Sequence, residues 1–513
     1  MSTRFSAIRA HNEFTTSKGS VMLPPPDLTQ RAADLLATLD SNPTSSNTYN
    51  TAFIASLSTA AGTPCFPQAL DWLRSHQHAD GSWGAMLPVP VDRLVSTLAA
   101  VASLAQCRQP WAENAVRTGV DYLWEHSEDW RASPHQTSAF ELAVPYLLDQ
   151  GRRAGLNLPA ERFTDIEQLR TAKLGRLPAV LPSDAPSPLL YSAELLSPQL
   201  LARQAERFQA EDGSIGCSPA ATAALCRHGD NAAAEGFLRR LAARSPDGGF
   251  PELAPIEIFI LGWALYPIVR AGLRPAGIDK HLATLRAILA TDGLVTMSAA
   301  FPLPDADDTA MAMTILHRAG TDVTPYLPHL LTFERDEYFT CYEFERDGSV
   351  AVNARIVEAF SPEPQRYAPQ IEKAAGFIAA HRIDGAYWYD KWHTSPYYAT
   401  AHVAFGLAST APELLNATAR WLRETQHPDG SWGSAQGQPE ETAYAVLALD
   451  ALVQAGLTTD TSPVTRAFAY LCRHVDDNDT QYAEMWNGRG LFTAPHLTRS
   501  AIIAALHLAT AYL

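Results

Sequence analysis

One eight-residue stretch, Gln77-His-Ala-Asp-Gly-Ser-Trp-Gly84, returns far down the chain as Gln426-His-Pro-Asp-Gly-Ser-Trp-Gly433, and in degraded form as Gln209-Ala-Glu-Asp-Gly-Ser-Ile-Gly216. Further Asp-Gly pairs begin at Asp247, Asp292, Asp347 and Asp384, so from Asp212 on the breaks fall roughly 35 to 55 residues apart, the period of a helical repeat. Each Asp-Gly supplies a turn with positive φ, and the Gln and Trp are placed to lock it onto neighbouring helices. Between the turns lie runs such as Leu98–Leu104 and Ala501–Leu508 that read as buried helix faces, with no alternating strand pattern. Asp27, after Pro24-Pro-Pro26, caps a first helix over Leu28–Leu39. The expectation is an all-α chain whose helix hairpins close into double-ringed α/α barrels. The strong copies lie so far apart that two barrels are expected.

Composition narrows the class. A chain of 513 residues has room for two or three domains. A net charge of −16 argues against nucleic acid or an anionic membrane as partner, so an anionic ligand would need a local basic pocket or a metal ion. The six cysteines are scattered without a C-x-x-C, as suits a reducing compartment, and do not build a zinc site. No apolar run approaches the roughly 18 residues of a membrane span, and the N-terminus lacks the apolar core of a secretory signal. A cytoplasmic protein with a frayed tail to about Ser20 is expected.

The chemistry points to Phe301-Pro-Leu-Pro-Asp-Ala-Asp-Asp-Thr-Ala-Met-Ala-Met-Thr-Ile-Leu316. Asp305, Asp307 and Asp308 open a helix marked by Met311, Ile315 and Leu316. One acid can cap the helix; three exceed what a cap needs. In a dry site, like-charge crowding and desolvation make ionising all three costly, so one keeps its proton at neutral pH. A neutral carboxylic acid beside ionised neighbours is a candidate general acid. A water-facing, over-acidic helix start is the alternative.

Several blocks, in order, resemble class II terpene cyclases of the bacterial diterpene type. Tyr49-Asn-Thr-Ala-Phe-Ile-Ala55 resembles the Y-D-T-A-W-V-A opening, departing at Asn50 and Phe53. Asp92-Arg-Leu-Val-Ser-Thr-Leu-Ala99 follows the first Gln-Trp turn, and Ser218–Ala224, Pro255-Ile-Glu-Ile-Phe259 and Trp263 match the approach to the acids. Then come Asp305-Ala-Asp-Asp-Thr-Ala310, Val350-Ala-Val-Asn353, Asp390-Lys-Trp-His-Thr-Ser-Pro-Tyr-Tyr-Ala-Thr-Ala-His402 and Glu440-Glu-Thr-Ala-Tyr444. Trp486-Asn-Gly-Arg-Gly-Leu-Phe492 resembles W-I-G-K-x-L-Y, with Arg489 in the lysine's place. The resemblance spans about Ser46 to Ser500. It implies βγ architecture: residues 1–42 with 246–513 as the β barrel carrying the acids, and 43–245 as an inserted γ barrel, with the active site between them. Asp476-Asp-Asn-Asp479 is too compressed for the D-D-x-x-D of class I enzymes. The chain ends at Leu513, so no α domain is expected and the diphosphate should survive.

The implied reaction is protonation-initiated cyclisation of a linear prenyl diphosphate, geranylgeranyl diphosphate first and farnesyl diphosphate as the alternative. The product would be a bicyclic copalyl, labdane, halimane or clerodane-type diphosphate, passed to a separate class I synthase or phosphatase. Asp307 is the implied proton donor, with Asp305 and Asp308 orienting it through hydrogen bonds. Trp263, Phe259, Tyr387, Trp388, Tyr397 and Tyr398 are candidates for the aromatic cation pocket. Lys391, Arg489 and Arg93 are candidates for the diphosphate, with Mg²⁺ between it and Glu128 and Asp129. His393, His402, Asn353 and Tyr398 are candidate bases for the final proton, and a homodimer is possible. The competing readings are a squalene-hopene-type cyclase, a protein prenyltransferase β-subunit and a non-catalytic toroid.

Overall fold

Two kinds of helix alternate along the chain, and their sequences dictate where each must lie. Pro396–Leu407 and Ala306–Arg318 are buried around and along nearly their whole length. Ile278–Asp292 instead buries a single stripe, Ile278, Leu282, Leu285 and Leu289. A helix buried on every side must lie inside, and a striped one must pack against it. The computed structural model, which describes residues 27–39, 44–107, 109–180, 186–434, 436–475 and 482–513, follows this rule.

Helices Glu257–Arg270, Ala306–Arg318, Val350–Ala359, Pro396–Leu407, Pro439–Gln454 and Pro495–Ala509 pack each on the next and the last on the first, closing an inner ring. Ile278–Asp292, Ala368–Ala380 and Ser462–His474 pack outside it, as does Leu28–Ala37 against Pro495–Ala509. A second ring closes through Thr48–Ala55, Pro90–Leu104, Phe140–Arg153, the 3₁₀ segment Pro188–Leu195 and Pro219–His228, with its own outer helices. These are two α/α barrels.

The core of this second barrel runs from Tyr49 to Ala254, past residue 245, where its boundary was expected. The reason is a strand pair: Ser46–Asn47 joins Phe250–Pro251 antiparallel and draws Phe250 into that core. The expected tail, the boundary at residues 42 and 43, and Asp476–Asp479 lie outside the described residues. Two further two-residue strand pairs, Val295–Thr296 with Pro304–Asp305 and Trp486–Asn487 with Leu491–Phe492, are too short to show alternation in sequence.

The repeated turn is a staple. Gln77 Nε2 donates to the carbonyls of Gly81 and Ala115, both at 2.9 Å, and Gln426 Nε2 to those of Gly430 at 2.9 Å and Pro463 at 2.8 Å. Trp83 Nε1 donates to Leu73 O at 2.8 Å and Trp432 Nε1 to Leu422 O at 2.7 Å. Gly81 and Gly430 have φ of 88° and 90°, and a Cβ there would fall 2.6 Å and 2.3 Å from the Thr118 and Arg466 carbonyl oxygens. Only glycine fits. A threonine on the following inner helix completes the unit by accepting the turn's N–H: Thr97 from Trp83, Thr442 from Trp432, Thr400 from Trp388 and Thr309 from Val295.

Candidate active site

The acid helix is fixed at its start from two sides. Asp305 ends the strand Pro304–Asp305 and caps Ala306–Arg318, its Oδ1 accepting the Asp308 N–H at 2.7 Å. One turn on, Thr309 Oγ1 accepts the Val295 N–H at 2.9 Å. The predicted cap is present, and the Asp305 carboxyl is held by backbone. All three acids are buried, Asp307 at 8% exposure.

Burial decides their charge. Desolvation, then the negative charge of Asp308, pushes Asp305 well above the usual carboxylate range. Desolvation, then Asp307, pushes Asp308 up to about 7. These two therefore hold a proton at neutral pH. Asp307 is also raised by burial, but Arg355 pulls it back. The Arg355 guanidinium forks onto it, Nε donating to Oδ1 and an Nη to Oδ2 at 2.9 Å. The flanking acids were expected to make the hydrogen bonds to Asp307; Arg355 makes them instead. Crowding thus fixes the proton of the Asp305/Asp308 pair, while Asp307 has its own cation. Arg355 was missed, although an arginine inside the apolar run Val350-Ala-Val-Asn-Ala-Arg-Ile-Val357 requires a buried partner.

Aromatic rings surround this ion pair. The Arg355 guanidinium lies 4.5 Å from the Trp263 ring centroid, and its other Nη is 3.5 Å from the Tyr398 hydroxyl. Trp263 stacks with Tyr398 at 6.0 Å, and Phe259 tilts against Trp263 at 5.5 Å. Trp486, named in sequence only as part of a motif, meets Phe259, Trp263, Tyr398 and His393 edge-on at 5.0 to 5.4 Å.

Three pocket candidates lie elsewhere. Trp388 is a staple: its Nε1 donates to Ile378 O at 2.8 Å, as Trp83 and Trp432 do in their turns. Tyr387 and Tyr397 both stack on Trp421, at 4.8 and 4.9 Å. Among the candidate bases, Asn353 spends its amide on the Phe339 and Ser349 backbone, and His393 accepts the Ser395 N–H while facing Glu440 at 3.3 Å. His402 is buried with neither ring nitrogen hydrogen-bonded, and desolvation followed by Arg355 holds it neutral.

The basic candidates are mostly committed. Arg489 is fully buried at the tip of the Trp486–Phe492 hairpin, bound to Glu252, Glu194, Ser218 and the Tyr191 carbonyl. It is an interdomain strut, without a free donor face for a diphosphate. Lys391 pairs with Glu345 at 2.5 Å and remains partly exposed. Arg93 is buried beside Asp92, donates to Ser82 Oγ at 2.7 Å and leaves Nε unpartnered. Glu128 and Asp129 are half-exposed and bound to Arg131 and His126, and no group of three metal-ligating side chains occurs among the described residues.

Comparison with known proteins accords with this geometry. The squalene-hopene cyclase C-terminal domain family matches residues 345–501. The labda-7,13-dienyl diphosphate synthase of Streptomyces clavuligerus is 32% identical across 94% of each chain. A type B diterpene cyclase of Mycobacterium tuberculosis is 29% identical over 91% of this chain and 96% of the relative. The solved ent-copalyl diphosphate synthase from Streptomyces platensis superimposes with a TM-score of 0.78 at 29% identity, covering 94% of this chain and all of that one. With a buried acid triplet among aromatic rings and relatives matched along nearly their full length, the chain belongs to the class II diterpene cyclases.

Proposed function

We propose that the chain cyclises geranylgeranyl diphosphate to a bicyclic diphosphate, with Asp307 as the proton donor. The observation that carries this is the setting of Asp307, a buried carboxyl gripped by Arg355, whose guanidinium lies against the Trp263 ring and beside the Tyr398 hydroxyl. Donation breaks the Asp307 O–H bond and leaves its electron pair on the carboxylate. The alkene π pair forms a C–H bond, and positive charge appears at the tertiary carbon. Ring closures then move that charge along the chain, past aromatic faces that stabilise it without trapping it. Asp305 and Asp308 keep a second proton in the site. Lys391, partly exposed and paired with Glu345, is the candidate cation for the diphosphate, which stays intact and leaves with the product for a class I synthase or a phosphatase. A C20 substrate is supported by relatives named for diterpene chemistry.

The test is incubation of wild type and Asp307→Asn with geranylgeranyl and farnesyl diphosphate, followed by dephosphorylation and mass spectrometry. A cyclised C20 alcohol from wild type, lost in the variant, is expected. Equal conversion by both proteins would overturn the assignment of Asp307.

A further inference from the structure

The carboxylate left after proton donation is a hazard. It sits against the carbocation it has created, where it can take a proton back or add to the cation as an ester. We propose that Arg355 is the positioning residue that prevents this, its two-pronged grip occupying both Asp307 oxygens once the proton has gone. The inference rests on the reading of Asp307 as donor.

Three observations carry it. Arg355 is 1% exposed and projects from helix Val350–Ala359 toward the neighbouring acid helix, with two nitrogens on Asp307 and its third near the Tyr398 hydroxyl. Its flat face lies against Trp263, so the fork cannot swing away without losing that contact. Among the described residues, the side-chain hydrogen bonds to this carboxyl come from Arg355. Asp305 and Asp308 share its helix; Cys341, Asp390, Lys391 and Tyr398 approach from other segments, and none of them hydrogen-bonds it. A fixed cation also favours the ionised product of donation, making Asp307 a stronger acid than its flanking pair, as alkene protonation requires.

The experiment uses the full chain and geranylgeranyl diphosphate in D₂O, with Arg355→Gln and Arg355→Lys beside wild type and Asp307→Asn. A deuteron delivered to the alkene and reversed by loss of the original hydrogen leaves deuterium in recovered substrate. In Arg355→Gln, kcat should fall about 10²- to 10³-fold, the size of effect typical of losing an electrostatic donor. Recovered substrate should become deuterated, and the high-pH limb of kcat should move upward. Arg355→Lys, which keeps the charge and loses the fork, should recover part of the rate yet still show deuterium. Wild type should show none. Loss of rate in both variants in proportion to lost folded protein, without deuterium, would assign Arg355 a structural role and overturn the proposal. So would wild-type kinetics in either variant. Should Asp307→Asn turn over like wild type, the donor assignment itself fails, a result separable from these.

Discussion

Arg489 and Glu252 are joined twice across the two barrels: the Arg489 backbone N–H and its Nε both donate to Glu252 Oε1, at 2.9 and 3.1 Å. The same Glu252 oxygen accepts the Tyr191 hydroxyl, and its other oxygen accepts the Asn50 amide at 2.8 Å. Arg489, Glu252 and Asn50 are wholly buried, and Tyr191 is half-buried at the edge of the network. The hairpin that carries Arg489 also carries Trp486, so the strut that docks the barrels sets the position of a pocket ring.

Breaking one partner of a buried ion pair typically costs about 3–5 kcal/mol, because the other charge is left uncompensated. Glu252→Gln and Arg489→Met should therefore lower the unfolding midpoint sharply in urea titrations. Arg489→Lys should lower it less and leave KM within about threefold, since a strut provides no substrate-specific binding. A KM raised tenfold or more with unchanged stability would return Arg489 to the diphosphate.

The raised Asp308 carries a stability cost whose direction is fixed. Unfolded, its carboxyl titrates near 4; folded, near 7. Between these values the folded state binds more protons, so stability drains away as pH rises from about 4 to about 7 and stays low above. Asp308→Asn removes that loss. Its melting midpoint should exceed wild type by several degrees at pH 8, since 1 kcal/mol moves a domain of this size by roughly 2–4 °C, and the gain should vanish near pH 4. Scanning calorimetry at both pH values decides it.

Two tryptophans separate staple from pocket. Trp388→Phe removes the indole donor from the buried Ile378 carbonyl, which keeps only the His381 N–H at 3.2 Å, a loss of about 1 kcal/mol in stability with little change in kcat of the folded protein. Trp263→Leu removes an aromatic face beside Arg355 and should cut kcat roughly tenfold and alter the product mixture, given about 1–2 kcal/mol per cation–π contact. Chemical denaturation and product chromatography on both variants test the contrast.

Much of this was legible in the chain. The turn motif carries its own partners, since Gln, Gly and Trp each bond within a few residues or to the next helix, and a repeat of such units dictates barrels. The cap at Asp305 is local for the same reason. Arg355 and Asp307 are 48 residues apart in sequence, on adjacent inner helices, and neither residue's neighbours name the other. Trp388 sits beside Asp390-Lys-Trp-His393, which drew it into the pocket reading, whereas its indole N–H belongs to the repeat. Arg489 looked like a phosphate ligand because a buried charge and a site charge have the same sequence; only the Glu194 and Glu252 carboxylates around it tell them apart.

Thr309 connects the repeat to the chemistry. As Thr97 and Thr442 do in their turns, it accepts a turn N–H, here from Val295, and this bond holds the first turn of the acid helix against Val295–Thr296, the strand paired with Pro304–Asp305. Thr309→Val keeps the shape and leaves that buried N–H unpaired, at a cost of about 1–3 kcal/mol. Its larger consequence should be catalytic. A displacement of the acids by an ångström relative to the alkene can lower kcat about 10²-fold while KM, set by contacts along the rest of the substrate, changes little. Thr309→Ser retains the acceptor and should retain most of the rate. Steady-state kinetics on the two variants, with midpoints measured in parallel, check the prediction; equal kcat for Val and Ser would show that the acids are positioned without this bond.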